Sequence, residues 1–277
     1  PECALESRHL GLVTAAEVGD LRQKLRRMAE QAEQTIDIDG LLALAETAPA
    51  LEVPQRPDAP ISRERPVIAL ARDKAFCFYY ADGLSELARQ GAELVEFSPL
   101  VDKALPAGCS GLYLGGGYPE VFAKELAGNT SLLREIHHAI LHGMPTVAEC
   151  GGFLYLQRHL ADADGRYDWH MVGAFSGKAG NTGKLSRFGY IEMTARADGL
   201  LCGAGERLHA HEFHYWDSTT PGGDFRAQKP LSDRGWDCAW HTPTLYAGFP
   251  HIHFGGCPKA AERFVAACIA YERGREG

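Results

Sequence analysis

The sequence predicts an α/β fold built on a doubly wound, mostly parallel sheet, preceded by a short helical tail and a proline-rich linker. Three observations carry this expectation. From residue 67 onward, short apolar runs of strand character alternate with segments of helical periodicity. The connections between them are short, as in sheets whose strands are joined by helices. All 26 aromatic residues (12 Phe, 4 Trp, 10 Tyr) lie after residue 75, so the first 75 lack the large side chains a self-sufficient core needs.

Taken in order, Thr14 and Glu17 resemble a capping box that opens a helix from about residue 15 to 36, with Val18, Leu21, Leu25, Met28, Ala29 and Ala32 on one face. Asp39 is placed to cap a second, short helix, LLALAETA. Residues 1–52 are therefore expected to be a helical tail that docks on a neighbouring domain. Residues 53–66 hold four of the fifteen prolines and almost nothing apolar, which reads as a semi-rigid linker. The third region, 67–277, starts with VIALA (67–71), a buried strand. A helix over 83–91 follows, then strands at ELVEFSPL and GLYLGGG, helices over 119–126 and 131–142, and a strand at PTVAEC. FLYLQRHL reads as a helix. Beyond Gly173 the pattern loosens into strand-like FGYIEMTA, HEFHYWDS and LYAGFPHIHF, and PKAAERFVAACIAYERG closes the chain as a helix.

Composition excludes several classes. With 28 basic against 36 acidic residues the formal net charge is −8, which argues against a nucleic-acid partner. No apolar run reaches the ~18 residues of a spanning helix, and the start has no secretory signal pattern. Eight cysteines without CxxC pairing suit a reducing, cytoplasmic setting.

The chemistry concentrates in Val147-Ala148-Glu149-Cys150-Gly151-Gly152-Phe153-Leu154. A strand runs into Cys150 and glycines follow at once, so the thiol projects from the sheet's carboxyl edge, where such folds bind ligands. Backbone amides beyond the turn, Gly151 first, can favour a thiolate and a developing oxyanion. A buried structural cysteine with packing glycines is the plain alternative. Gly115, Gly116 and Gly117 end the preceding strand and could complete an oxyanion hole; GGGYPE is not a dinucleotide fingerprint. Late in the chain, Phe249-Pro250-His251-Ile252-His253-Phe254 offers His251 as a base. Jointly these features favour a cysteine acyl-transfer site.

The runs ALARDKAFCFYYADGL, GAELVEFSPLVDKALP, GLYLGGGYPE, PTVAECGGFLYL, HEFHYWDS and PHIHF resemble the cobyrinic acid a,c-diamide synthase family over residues 7–270. RHLGLVTAAE and IDIDGLLALA extend that likeness. The resemblance implies a flavodoxin-like class I glutamine amidotransferase domain in which Cys150 attacks the side-chain amide of L-glutamine, forms a thioester and releases ammonia, and His251 activates the thiol. The wider superfamily carries a glutamate two residues after that histidine. Here His253 stands there, so the site reads as a Cys–His dyad with His253 in support. The resemblance also implies that ammonia amidates carboxylates a and c of cobyrinic or hydrogenobyrinic acid after activation by ATP and Mg²⁺ in an N-terminal P-loop domain. Gly177–Leu185 lacks the P-loop spacing, so residues 1–52 are expected to be the tail of a missing ATP-binding domain. No cofactor is expected in this chain. A homodimer is possible.

Arg72, Asp73, Phe76, Phe78, Tyr79 and Tyr80 form a second candidate surface, since a flat polycarboxylate corrin suits aromatic faces and an arginine; core aromatics of a βα unit are the alternative. His211, Glu212, His214 and Arg187 either hold substrate carboxylates or pin a strand. Three rival readings remain. His211 and His214 with His251 and His253 are zinc-type ligands, although the i, i+3 spacing in a β-like stretch is wrong for a helical zinc site. A non-hydrolytic tetrapyrrole-binding module and a diamide synthase of another macrocycle, such as nickel-sirohydrochlorin, are the others.

Overall fold

The computed structural model describes residues 3–5, 7–8, 11–15, 17–52 and 64–276. The chain forms two units, Pro1–Asp58 and Ala59–Gly277. Most of the expected linker, residues 53–63, lies outside the described residues.

The first unit contains the antiparallel pair β1 (Ser7–Arg8) and β2 (Gly11–Leu12), then α1 (Leu21–Thr35) and α2 (Ile38–Glu46). Two expectations change here. Helix α1 begins six residues later than the capping box implied, because Thr14 Oγ1 donates to the Glu17 carboxylate itself at 2.7 Å and the pair closes a turn. The cap of α2 is Asp37, whose carboxylate accepts the Gly40 N–H at 2.9 Å; Asp39 sits inside the first turn. Neither helix has a buried residue, and Leu41, Leu42 and Leu44 of α2 are exposed.

The second unit opens with β3 (Val67–Ala71), β4 (Phe76–Phe78), α3 (Ala81–Arg89), β5 (Glu93–Phe97), β6 (Gly111–Leu114) and β7 (Gly116–Gly117). Next come α4 (Ala123–Gly128), α5 (Thr130–Leu141), β8 (Thr146–Glu149) and α6 (Gly151–Tyr155). Nine short strands follow: β9 (His159–Ala161), β10 (Asp168–His170), β11 (Lys178–Asn181), β12 (Arg187–Ala195) and β13 (Arg207–His214), then β14 (Trp216–Ser218), β15 (Phe225–Gln228), β16 (Gly235–Cys238) and β17 (Trp240–Thr242). The chain then returns through β18 (Leu245–Gly248) and β19 (His251–Ile252) to α7 (Pro258–Glu276).

The central sheet runs β17-β18-β8-β6-β3-β5, parallel except for the β17–β18 pair at one edge. This is the mostly parallel, doubly wound sheet that the alternation of strands and helices implies. Strand alternation sends Ala69, Ala71, Leu112, Leu114 and Ala148 into one apolar layer with α4, α5 and α6. It sends Ile68, Leu70, Tyr113 and Val147 into another, with α3, α7 and the inner face of a second sheet. That second sheet, β16-β15-β12-β13-β19, is antiparallel throughout. The smaller sheet β10-β9-β11-β14 begins where the expected helix FLYLQRHL stops. Only Gly151–Tyr155 is helical, and β10 and β11 then capture the chain by pairing with His159 and Leu160. The helix expected from residue 119 begins at Ala123, after tight turns at Tyr118 and Pro119.

Candidate active site

Two neighbouring parallel strands end at the same level, Glu149 of β8 opposite Gly248 of β18. The Cys150 N–H continues the ladder to the Gly248 carbonyl at 2.8 Å. Cys150 and His251 therefore lie one and three residues beyond adjacent strand ends, and the topology alone brings them together across 101 positions of sequence.

Cys150 has φ 47° and ψ −102°, a left-handed conformation that a non-glycine residue holds only where its surroundings impose it. Three contacts impose it. Its own amide is tied to Gly248, the Gly152 N–H donates to the Gly115 carbonyl at 2.9 Å, and the Leu154 N–H returns to the Cys150 carbonyl at 2.9 Å. The glycines leave the space this needs: a Cβ on Gly152 would stand 2.1 Å from the Leu114 carbonyl oxygen. A Cβ on Gly151 would lie 2.9 Å from the Gly117 nitrogen, so the two glycine backbones cross in contact beside the thiol.

The His251 side chain lies between Cys150 and Glu149, and both act on its charge. Its Nδ1 lies 3.6 Å from Glu149 Oε2. Burial alone lowers the imidazole pKa, but hydrogen bonds and charge from Cys150 and Glu149 outweigh it and push it up to about 10. The ring edge rests against Gly116, where a Cβ would stand 2.5 Å from His251 Cε1. Glu149 is itself held twice more. Its Oε1 accepts the Ile252 N–H at 2.7 Å and its Oε2 accepts the Tyr113 hydroxyl at 3.0 Å. Sequence reading missed Glu149. It stood in plain view one residue before the cysteine, and a buried carboxylate at the end of a strand that is otherwise apolar was the available signal.

His253 does not support the dyad. Its Nε2 pairs with Asp82 Oδ2 on α3 at 2.8 Å and its ring meets Tyr80 edge-on, centroids 4.9 Å apart. The strand break after Ile252 turns residue 253 away from Cys150, and the contact expected of it is made by Glu149. The three glycines also divide. The Gly115 N–H is already taken by the Tyr79 hydroxyl at 2.9 Å, so Gly115 serves as a strut, while Gly116 and Gly117 border His251 and Gly151.

The aromatic segment after β3 is mostly architecture. Asp73 accepts the amides of Ala75, Phe76 and Leu100 and the Ser98 hydroxyl at 2.8–3.1 Å, which stitches two loops together. Phe76 is fully buried against Tyr155. Tyr79 donates to the Ala71 carbonyl and holds Gly115. Arg72 is paired with Glu96 at 2.6 Å and lies over the Tyr79 ring. These four are committed to the fold, because each meets its partners within the unit. Tyr80 differs: it lines a cavity of about 890 Å³ together with His211, His251, His253, Arg207 and Lys229.

In β13 the alternation decides which residues reach that cavity. Positions 207, 209 and 211 face outward, and 208, 210, 212 and 214 face inward. His211 is thus in the cavity, opposite Tyr190 on β12 and opposite His251 on β19. Glu212 and His214 are buried on the other face. Burial raises the Glu212 carboxyl to about 7, and burial lowers His214 to about 4, where it stacks on Phe249 and bonds the Trp216 carbonyl through Nδ1. Opposite faces also separate His211 from His214, and among the described residues no group of three or more His, Cys, Asp or Glu is arranged to hold a metal. Arg187 packs its guanidinium over Trp236. The Gly177–Leu185 stretch does not fit a nucleotide: Lys178–Asn181 is strand β11, and the Lys178 ammonium is paired with Asp168 at 2.6 Å.

Comparison with known proteins agrees with this geometry. A family model, the CobB/CobQ-like glutamine amidotransferase domain, matches residues 67–257. The chain is 38% identical over 275 residues to the cobyrinate a,c-diamide synthase of Caldanaerobacter subterraneus, covering 98% of this chain and 60% of that protein. It is 39% identical over 281 residues to the hydrogenobyrinate a,c-diamide synthase of Thermobifida fusca, covering 95% and 58%. The chain thus spans about three-fifths of the length of these relatives. A solved structure from Thermoplasma acidophilum, described as belonging to a GMP synthase, aligns with 78% of this chain and all of its own at TM-score 0.51 and 16% identity. That likeness is one of fold. With a family model over more than two thirds of its length, the chain belongs to the CobB/CobQ-like glutamine amidotransferase family.

Proposed function

We propose that the second unit hydrolyses L-glutamine to glutamate and ammonia, and that the ammonia serves a cobyrinate or hydrogenobyrinate a,c-diamide synthase of cobalamin biosynthesis. The observation that carries this reading is a cysteine held at positive φ on a strand-to-helix turn, beside a half-buried histidine whose pKa Cys150 and Glu149 raise. In this reading the Cys150 thiolate attacks the glutamine amide carbon. The oxyanion is met by backbone amides of Gly116, Gly117 and Gly151. The imidazolium of His251 hands its proton to the departing nitrogen, which leaves as ammonia from a γ-glutamyl thioester. Water, deprotonated by His251, then attacks the thioester and releases glutamate with Cys150 restored.

Amidation of the corrin is assigned to the part of the relatives that this chain does not span, together with ATP and Mg²⁺. The exposed leucines of α2 support reading residues 1–52 as a tail that packs on that part. The cavity beside His251, with Tyr80, His211, Arg207 and Lys229, is the face we assign to the carboxylate-rich macrocycle. Eight cysteines free of disulfides support a cytoplasmic setting. The test is glutamate release from glutamine. Cys150→Ala is expected to abolish it, a loss of at least about 10³-fold; equal rates from wild type and variant would sink the assignment.

A further inference from the structure

We propose that Glu149 is the positioning carboxylate of the Cys150–His251 pair, a role the wider superfamily gives to a residue two places after the histidine. The inference rests on Cys150 being the nucleophile, as in the function above. At the superfamily position stands His253, and His253 is turned to Asp82 on α3. On the dyad's other side Glu149 Oε2 lies 3.6 Å from His251 Nδ1. With Nδ1 facing a carboxylate, Nε2 is the nitrogen left for the thiol. Glu149 is 1% exposed, and its two further bonds fix both oxygens: Oε1 to the backbone of Ile252 and Oε2 to Tyr113. The first of these matters most, because it ties the carboxylate to the residue next to His251. Nucleophile, carboxylate and base are thereby set by one strand end and one peptide group, with no separate loop needed to carry the acid.

The electrostatics follow from the order thiolate, imidazolium, carboxylate. An imidazolium placed between a thiolate and a carboxylate is favoured over the neutral ring, and in this proposal proton transfer from Cys150 to His251 draws on that stabilisation. Other ionisable groups whose charge acts on the pair or is acted on by it are His211, Glu212 and His214 on β13, Tyr113 on β6, Tyr246 on β18, and Tyr79 and Tyr80 ahead of α3.

The rival role for Glu149 is purely structural, a staple holding β19 through Ile252. Glu149→Gln separates the two, since the amide oxygen can still accept the Ile252 N–H while the charge is gone. In the full chain, ring-nitrogen NMR of His251 is expected to show its protonation midpoint lowered by about one pH unit or more. Steady-state glutamine hydrolysis is expected to lose about 10²-fold in kcat with KM within about threefold. A His251 titration and a kcat indistinguishable from wild type would overturn the proposal. If Glu149→Gln does not fold, Glu149→Asp carries the test: the charge stays but withdraws from Nδ1, and an unchanged midpoint again overturns it. Should the wild-type chain release no glutamate, the glutaminase reading fails, while the His251 titration still decides the role of Glu149.

Discussion

The two large sheets of the second unit bury their residues in different ways. Strands β6 and β8 are buried at every position, with apolar layers on both faces. Strand β13 alternates, inward positions buried and outward ones open to the cavity. The first arrangement has nothing to spare for a ligand along its length and can offer chemistry only where its strands stop. The second offers a whole face. The proposed catalytic pair takes one member from each: Cys150 from the end of the sealed sheet, His251 from the short edge strand of the open one.

That division can be attacked from either side. The largest effect is expected at the sealed edge. Gly116→Ala puts a methyl group 2.5 Å from His251 Cε1 and must displace the ring; glutamine turnover should fall about 10²-fold, as for an ångström-scale misplacement. Melting temperature should change little, and equal losses of stability and activity would contradict a local effect.

A smaller effect is expected from buried histidines, His214 on β13 of the open sheet and His241 on β17 at the edge of the sealed one. His214 and His241 are both lowered to about 4 by burial. The unfolded chain binds their protons below pH ~6.5 while the folded one resists until about 4. Stability from these groups is therefore complete above pH ~6.5 and is lost on acidification towards 4. Glu212, raised to about 7 by burial, works in the opposite sense between pH ~4.5 and 7. His241→Asn removes one titrating group, so the fall in melting temperature between pH 6.5 and 4 should be shallower. A slope no different from wild type would remove His241 from this account.

The smallest effect is expected at His253→Ala. Its contact with Asp82 is at the surface, where such pairs contribute little. Glutamine hydrolysis should remain within about threefold of wild type. A loss near that of Glu149→Gln would restore His253 to the dyad.

The same contrast explains what the sequence disclosed. VIALA, GLYL and TVAE read as strands because a strand sealed on both faces is a continuous apolar run, with no second periodicity to confuse it. The elbow at Cys150 was legible because a turn that sharp demands glycines next to it. Residues around β4 misled for a physical reason. Asp73, Phe76 and Tyr79 have the chemistry of a ligand surface, and only tertiary partners far along the chain, such as Leu100, Tyr155 and Gly115, commit them to the fold. His253 was expected beside Cys150 and meets Asp82 instead, because sequence spacing says nothing about which way a two-residue strand such as β19 releases its next residue. His211 and His214 looked alike in HEFHY, and period-two alternation separated them once the strand was known.

Because Cys150 and His251, the proposed nucleophile and base, hang from different sheets, the gap between them measures how well those sheets are registered against each other. The apolar layer beneath, where Ile191 and Met193 of one sheet meet Val147 and Tyr246 of the other, works as the shim of a two-part instrument. Wear in that layer, even far from the thiol, would show first as lost turnover and only later as unfolding. Glutamine hydrolysis is then the finest gauge of fit that this protein carries.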